Sequence, residues 1–197
     1  MVHYYSENQV SEFSPVKIKA VLRGKDLEFY TAGGVFSIKK IDKGTELLIN
    51  NCIILDNWEV LDLGCGYGPI GISIAKTTNA KVIMTDINKR ALRLTKMNLK
   101  LNDVEVELKQ GDLYKPLNGK MFDTILTNPP YTAGRKICFQ IIEESKEHLK
   151  KKGILQLVAK HRKGGDMLSK KMKEVFANVK EVIKGSGYRL YVFLRQA

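Results

Sequence analysis

A chain of 197 residues, 44% hydrophobic and 27% charged, is long enough for one well-buried globular domain and short for two. No apolar run approaches a membrane span, and Cys52, Cys65 and Cys138 lack partners at ligand spacing, which excludes a disulfide framework and a zinc site. The 33 Lys and Arg residues against 21 Asp and Glu leave a net charge of +12, which favours a polyanionic partner such as RNA or DNA.

The opening residues 1–5 lack the basic-then-apolar pattern of a signal peptide, and the unpaired cysteines suit a reducing cytoplasm. Residues 16–22 alternate apolar and basic side chains, Arg23-Gly24-Lys25-Asp26 reads as a turn, and residues 27–31 alternate again, which predicts a β-hairpin. Gly33-Gly34 breaks it, and Asp42-Lys43-Gly44-Thr45 precedes a short helix over 46–49. The style of the chain changes near residue 50, so residues 1–50 are expected to form a separate N-terminal segment and 51–197 the main domain.

From Trp58 onward apolar runs alternate with helical patterns. Strands are expected at 60–63, 81–86, 104–109, 122–126 and 153–159, with helices at 69–77, 88–101, 136–149 and 167–177 between or after them. Residues 179–183 and 189–194 are close enough to pair as a final antiparallel hairpin around Gly185-Ser186-Gly187. Repeated β–α alternation implies an α/β fold, a doubly wound, mostly parallel sheet with helices on both faces.

Leu61-Asp62-Leu63-Gly64-Cys65-Gly66-Tyr67-Gly68 places three glycines at alternate positions between a strand and a helix. Residues without Cβ let the backbone turn tightly and let a ligand touch it. The spacing is neither that of the dinucleotide fingerprint nor that of a P-loop. Asp62 beside the loop suits a ligand ammonium group, Asp86 with the following Ile87 ends the second strand where a ribose would sit, and Asp112 ends the third where an adenine amine would sit. Gly64, Cys65, Gly66 and Gly68 with these acids describe a pocket for S-adenosyl-L-methionine; a helix N-cap for Asp86 or Asp112 and a plain turn for the glycines are the alternatives.

Asn128-Pro129-Pro130-Tyr131 follows the fourth strand. Two prolines remove two N–H donors, so the backbone is expected neither to continue a strand nor to start a helix, and its carbonyls are expected to point outward without neighbouring donors. Asn128 Oδ1 and the Pro129 carbonyl can then accept both hydrogens of a planar NH₂ group while Tyr131 stacks on its plane.

These motifs resemble those of the class I S-adenosylmethionine-dependent methyltransferases, over a stretch from about Trp58 to the C-terminus. The resemblance implies a Rossmann-like fold with a seven-stranded sheet whose last strand is inserted antiparallel. Asn-Pro-Pro-Tyr is similar to the motif of enzymes that methylate planar nitrogens: adenine N6, guanine N2 and the glutamine N5 of release factors. Gly34-Val35-Phe36-Ser37 followed by Ile41-Asp42-Lys43-Gly44-Thr45 resembles the stretch ahead of the catalytic domain in guanine-N2 methyltransferases of small-subunit ribosomal RNA, which implies that Phe36-Ser37 and the Asp42-Lys43-Gly44-Thr45 segment lie over the cofactor's methionine end. Those bacterial enzymes usually read Asn-Pro-Pro-Phe-His and carry a duplicated N-terminal domain, whereas this chain has Tyr131 and Thr132 and lacks the duplicate. The expectation is a cytoplasmic RNA methyltransferase of guanine N2, with adenine-N6 or glutamine-N5 transfer and a non-enzymatic RNA-binding role as alternatives. Lys160-His161-Arg162-Lys163, after the fifth strand, could contact phosphates or form a solvated loop, and the oligomeric state is left open.

Overall fold

Alternating side chains make Val16–Leu22 (β1) and Lys25–Thr31 (β2) an antiparallel hairpin in full register, Val16 opposite Thr31 and Leu22 opposite Lys25. The structure, a computed structural model, describes residues 6–9 and 12–195, so the signal-peptide reading of residues 1–5 lies outside the described residues. The turn is shorter than expected. Arg23 and Gly24 both take positive φ, 49° and 73°, which matches the right-handed twist of the strands and releases Lys25 and Asp26 into β2.

The hairpin does not stand alone. Its β2 edge lies against helix α3 (Lys89–Leu101), where Asn98 and Asn102 occupy the place of a neighbouring strand. Asn98 Oδ1 accepts from Tyr30 N–H at 2.6 Å and its Nδ2 donates to Tyr30 and Tyr67 carbonyls; Asn102 pairs with both backbone groups of Glu28. An exposed edge is thereby closed by two amides one helical turn apart. Phe29, on the opposite-pointing set of β2 side chains, packs edge-on against Tyr67 with ring centroids 6.0 Å apart.

Seven strands form the main sheet in the order β5-β4-β3-β6-β7-β9-β8, and the bounds are Glu59–Leu63 (β3), Lys81–Asp86 (β4), Glu107–Gln110 (β5), Phe122–Thr127 (β6), Leu149–Lys160 (β7), Lys180–Gly185 (β8) and Tyr188–Leu194 (β9). The pairs among β3 to β7 are parallel, and β9 is inserted antiparallel between β7 and β8, as expected. Helices α1 (Lys43–Asn51), α2 (Pro69–Thr77) and α3 bury their apolar side chains on one face together with the hairpin. Helices α4 (Arg135–His148) and α5 (Gly165–Phe176) bury theirs on the other. Successive residues of β3 serve the two layers in turn: Val60 faces the first, Leu61 and Leu63 the second.

Within the main sheet, two strand starts differ from expectation by more than one residue. The third begins at Glu107 rather than near Val104, because Val104 N–H bonds to Leu99 O and Asp103, at φ 51°, bonds to Lys100 O, a motif that closes α3. The fifth begins at Leu149, ahead of a register shift between Phe122 and Thr124 and a positive φ at Lys152.

The reversal of strand order between β3 and β6 opens a crevice at their C-terminal ends, the place where such sheets hold ligands. Thr127 Oγ1 ties that edge by donating to Leu63 O at 3.0 Å. Asn98→Ala leaves Tyr30 N–H and two carbonyls without this partner, so it is expected to lower stability by about 2–4 kcal/mol in urea unfolding. A midpoint within error of the parent would show that the hairpin is not held through Asn98.

Candidate active site

The loop after β3 reaches back to β4. Gly64 and Cys65 N–H both donate to Thr85 O at 2.9 Å, and Gly66 N–H donates to Asp86 Oδ2 at 2.8 Å. Gly64 and Gly66 stand at φ 74° and 59°, and a Cβ added to either would meet nothing within 4 Å. The loop therefore needs glycine for its handedness and presents bare backbone to open space. Gly68 differs: a Cβ there would stand 2.8 Å from Ile72 Cδ1, so it serves the packing of α2.

Asp62 is placed differently from its expected position beside a ligand. Two residues after Val60, it points to the same layer and lies under α2, fully buried. Its Oδ2 accepts from Gly71 N–H at 2.8 Å in the first turn of α2, where the helix dipole favours a carboxylate. Oδ1 has no hydrogen-bond partner among the described residues, and burial raises the carboxyl from its ordinary 3.8 to about 7.

Asp86 does line the crevice. It accepts from Gly66 and Asn88 N–H, each at 2.8 Å; burial pushes its carboxyl up, and these N–H groups with Ile87's oppose that. The N-cap of α3 is Asn88, whose side chain accepts from Arg90 and Ala91 N–H, which leaves Asp86 free of that task. Asp112 is turned away: its carboxylate pairs with Lys115 at 2.7 Å, while its neighbours Gly111 and Leu113 face the crevice.

The diproline corner corrects a second expectation. Pro130, at φ −78° and ψ 83°, forms an inverse γ-turn, so Tyr131 N–H bonds to Pro129 O at 3.0 Å. Ala133 N–H bonds to Pro130 O at 2.9 Å and starts a 3₁₀ turn, Tyr131–Ala133. Both carbonyls thus have a donor nearby, because the residues after the prolines supply the N–H groups that the prolines lack. Each keeps a second lone pair.

Asn128 is oriented from across the sheet. Its Nδ2 donates to Thr45 Oγ1 at 2.9 Å and to Asp42 Oδ2 at 3.2 Å. A carboxylate only accepts, so the amide must present NH₂ to it, and Oδ1 is left to accept from whatever enters the crevice. Asp42 is also the N-cap of α1, accepting from Gly44 and Thr45 N–H at 2.8 and 3.1 Å, and its Oδ1 accepts from Tyr188 O–H at 2.9 Å. A Cβ on Gly44 would stand 2.5 Å from the Tyr188 ring, so glycine lets that ring lie on the first turn of α1. Burial and the Asp42 carboxylate push the Tyr188 phenol up to about 12, which keeps it a donor.

Together these loops enclose a cavity of about 270 Å³. Among the expected residues Phe36, Gly64, Cys65, Gly66, Asp86 and Ile87 line it, as do Asn128, Pro129 and Tyr131; Asp62, Gly68 and Asp112 do not. Lys160 and Lys163, expected as possible phosphate contacts, line it too, and Asn88 and Tyr188 line it without having been singled out as site residues. Asn88 carried a local signal, as an N-cap before a helical run; Tyr188 carried none, since only the insertion of β9 beside β7 brings it there. The arrangement offers acceptors for a planar amine at one end and a glycine cradle with an acid at the other.

The chain matches the family model described as the methyltransferase small domain over residues 26–192. It is 39% identical to the Bacillus subtilis protein YbxB over 94% of each chain. It is 39% identical to the Haemophilus influenzae ribosomal RNA small subunit methyltransferase C over 68% of this chain and 42% of that protein. The Shewanella loihica protein of the same name is 30% identical over 95% of this chain and 57% of its own. The chain thus spans about half the length of the ribosomal RNA methyltransferases it matches. Its fold superposes with a TM-score of 0.81 on 52% of a T. thermophilus 16S rRNA N2 methyltransferase solved with AdoMet and guanosine, at 21% identity over 96% of this chain.

The buried Asp62 carboxyl generates a pH prediction. Its folded value of about 7 lies above its ordinary 3.8, so between these values the folded chain keeps a proton that the unfolded chain has released, and stability falls as pH rises through that window. Asp62→Asn retains an oxygen for Gly71 N–H and cannot ionise. Its stability relative to the parent is expected to rise by about 1–4 kcal/mol between pH 4 and pH 8 in urea unfolding, beyond any constant offset. A difference that stays flat with pH would show that Asp62 ionises freely.

Proposed function

The chain belongs to the methyltransferase small domain family, and on that premise we propose that it is an S-adenosylmethionine-dependent methyltransferase of an exocyclic base amine, guanine N2 of ribosomal RNA. The observation that carries the reading is the fixed Asn128 amide, whose NH₂ end is engaged by Asp42 and Thr45 so that its oxygen is left to accept from a bound amine. The names of the ribosomal RNA methyltransferase relatives support the choice of substrate, and the net charge of +12 supports an RNA partner.

The residues present fit the cofactor. Open space stands where Cβ atoms of Gly64 and Gly66 would be, and the Asp86 carboxylate faces the cavity at the end of β4, where ribose hydroxyls can donate to it. Phe36 would cover the cofactor from the N-terminal side. When bound, S-adenosylmethionine supplies a methyl carbon on a positively charged sulfur, which departs with the bonding electron pair.

The chain's own part is positioning. The lone pair of an aromatic or amide NH₂ is delocalised and nucleophilically weak. Hydrogen bonds from its two N–H groups to Asn128 Oδ1 and the free lone pair of Pro129 O localise that lone pair and aim it. Tyr131 offers a stacking face, and its O–H contacts Val158 O at 3.5 Å. The nitrogen becomes acidic once it carries the new methyl, so it can lose its proton along the bond to Asn128 Oδ1 toward solvent, and no strong base is needed.

No helix among the described residues is long and apolar enough to cross a membrane, and a ribosomal RNA substrate supports a cytoplasmic reading. Incubation with labelled cofactor and unmodified ribosomal RNA, followed by nucleoside analysis, is expected to give N2-methylguanosine. Label confined to a glutamine side chain, or to N6 of adenine, would overturn the assignment. Asn128→Ala is expected to lower kcat by about 10²–10³ while cofactor affinity stays within about threefold. Asp86→Ala is expected to weaken cofactor binding about tenfold or more in calorimetry, and unchanged affinity would remove Asp86 from the ribose site.

A further inference from the structure

Beside the cavity lies an open groove of about 490 Å³, formed by the loop after β7 and the turn joining β8 to β9. Lys160, Arg162, Lys163, Lys184 and Arg189 line it, no carboxylate does, and Lys160, Lys163 and Tyr188 line the cavity as well. The two spaces are therefore adjacent and share a wall. Arg189 pairs with Glu181, and Lys160 Nζ lies 5.6 Å from the Tyr188 ring centroid. Among the described residues Arg162, Lys163 and Lys184 form no ion pair.

The groove is built rather than frayed. His161 N–H donates to Gly187 O at 3.0 Å, His161 Nδ1 and Tyr191 O–H are 2.9 Å apart, and Lys160 pairs with Tyr188 in the β7–β9 ladder. Its two walls are thus fixed to one another across the sheet edge. Arg189 is neutralised by Glu181, while Lys160, Arg162, Lys163 and Lys184 stand together without an ion pair among the described residues, and a polyanion relieves their mutual repulsion. A base gripped by Asn128 stays covalently tied to its own phosphates, which must lie at the mouth of the cavity. On the Tyr188 side that mouth is cationic.

Resting on the reading of the substrate as RNA, we propose that this groove holds the RNA phosphodiester backbone on one side of the target nucleotide while the base occupies the cavity. Arg162 and Lys184 line the groove alone, which separates backbone binding from the transfer site. Tyr188 forms the partition between them.

The test is binding of an unmodified ribosomal RNA fragment to the full chain, measured by filter binding across a salt series, with methyl transfer assayed on the same RNA. Arg162→Ala/Lys184→Ala is compared with Lys96→Ala/Lys100→Ala, which removes the same charge from exposed positions on α3. The groove variant is expected to bind about tenfold or more weakly, with a salt slope smaller by about 1.4, as for two lost phosphate contacts on a single strand. The α3 variant is expected to stay within about threefold. Equal binding by the groove variant and the parent, an equal loss in the α3 variant, or no RNA binding by the parent would each overturn the proposal. Parental RNA binding without methyl transfer would instead remove the transferase reading, while the groove is judged by the affinities.

Discussion

One carboxylate holds the site together. Asp42 accepts from Gly44 and Thr45 N–H at the start of α1, from Asn128 Nδ2 at the end of β6 and from Tyr188 O–H at the start of β9. Four donors from three elements converge on two oxygens, and charge-assisted bonds are the stronger kind. The consequence reaches beyond helix capping. A free asparagine side chain could present either end of its amide, and here a group that only accepts removes the choice. The acceptor that would meet a substrate amine is therefore set by a residue more than eighty positions earlier in the chain.

The second constraint is topological. Strand order reverses between β3 and β6, so the loops that leave their C-terminal ends diverge to opposite faces and leave space between them. Thr127 Oγ1 bound to Leu63 O keeps the two strand ends in step at that point. The glycine loop is held to β4 by Thr85 O and Asp86, and the diproline corner is held by its own γ-turn. The glycine loop and the diproline corner are thus each held in place and jointly positioned, as a site that works by orientation requires.

Much of this was legible in the sequence, because apolar periodicity reports which residues are buried. The order of strands and helices along the chain follows from it, as does the placement of the glycine and diproline corners at strand ends, whereas the inserted antiparallel strand was implied by the resemblance to class I methyltransferases. What was not legible depends on which way a side chain points. Asp62 stands next to the glycine loop in sequence, yet strand alternation turns it under α2, where it braces Gly71. Asp112 follows its strand as expected but turns to Lys115. Asn98 and Asn102 read as ordinary polar positions on a helix, since nothing local reveals that a hairpin edge will arrive there. The Pro129 carbonyl was expected to be bare because proline lacks N–H, but a donor one residue beyond the pair reaches it. Contacts distant in sequence decide the two asparagines, whereas Asp112 and the Pro129 carbonyl are decided by turns two or three residues long.

Tyr188 shows how closely such distant contacts can be coupled. Its hydroxyl donates to Asp42, its ring rests where Gly44 has no side chain, and Lys160 lies over that ring. The phenol, raised to about 12, remains a donor across the range in which proteins work, so its bond to Asp42 is not a pH switch. Lys160 flanks the ring whose hydroxyl bonds to Asp42, and Asp42 in turn holds Asn128. The ring thus stands between the cationic groove and the amide that would meet the amine. A movement of Tyr188 by about one ångström along that bond would lengthen it from 2.9 Å beyond hydrogen-bond range, so the close packing of the ring against Gly44 helps keep Asp42 in place.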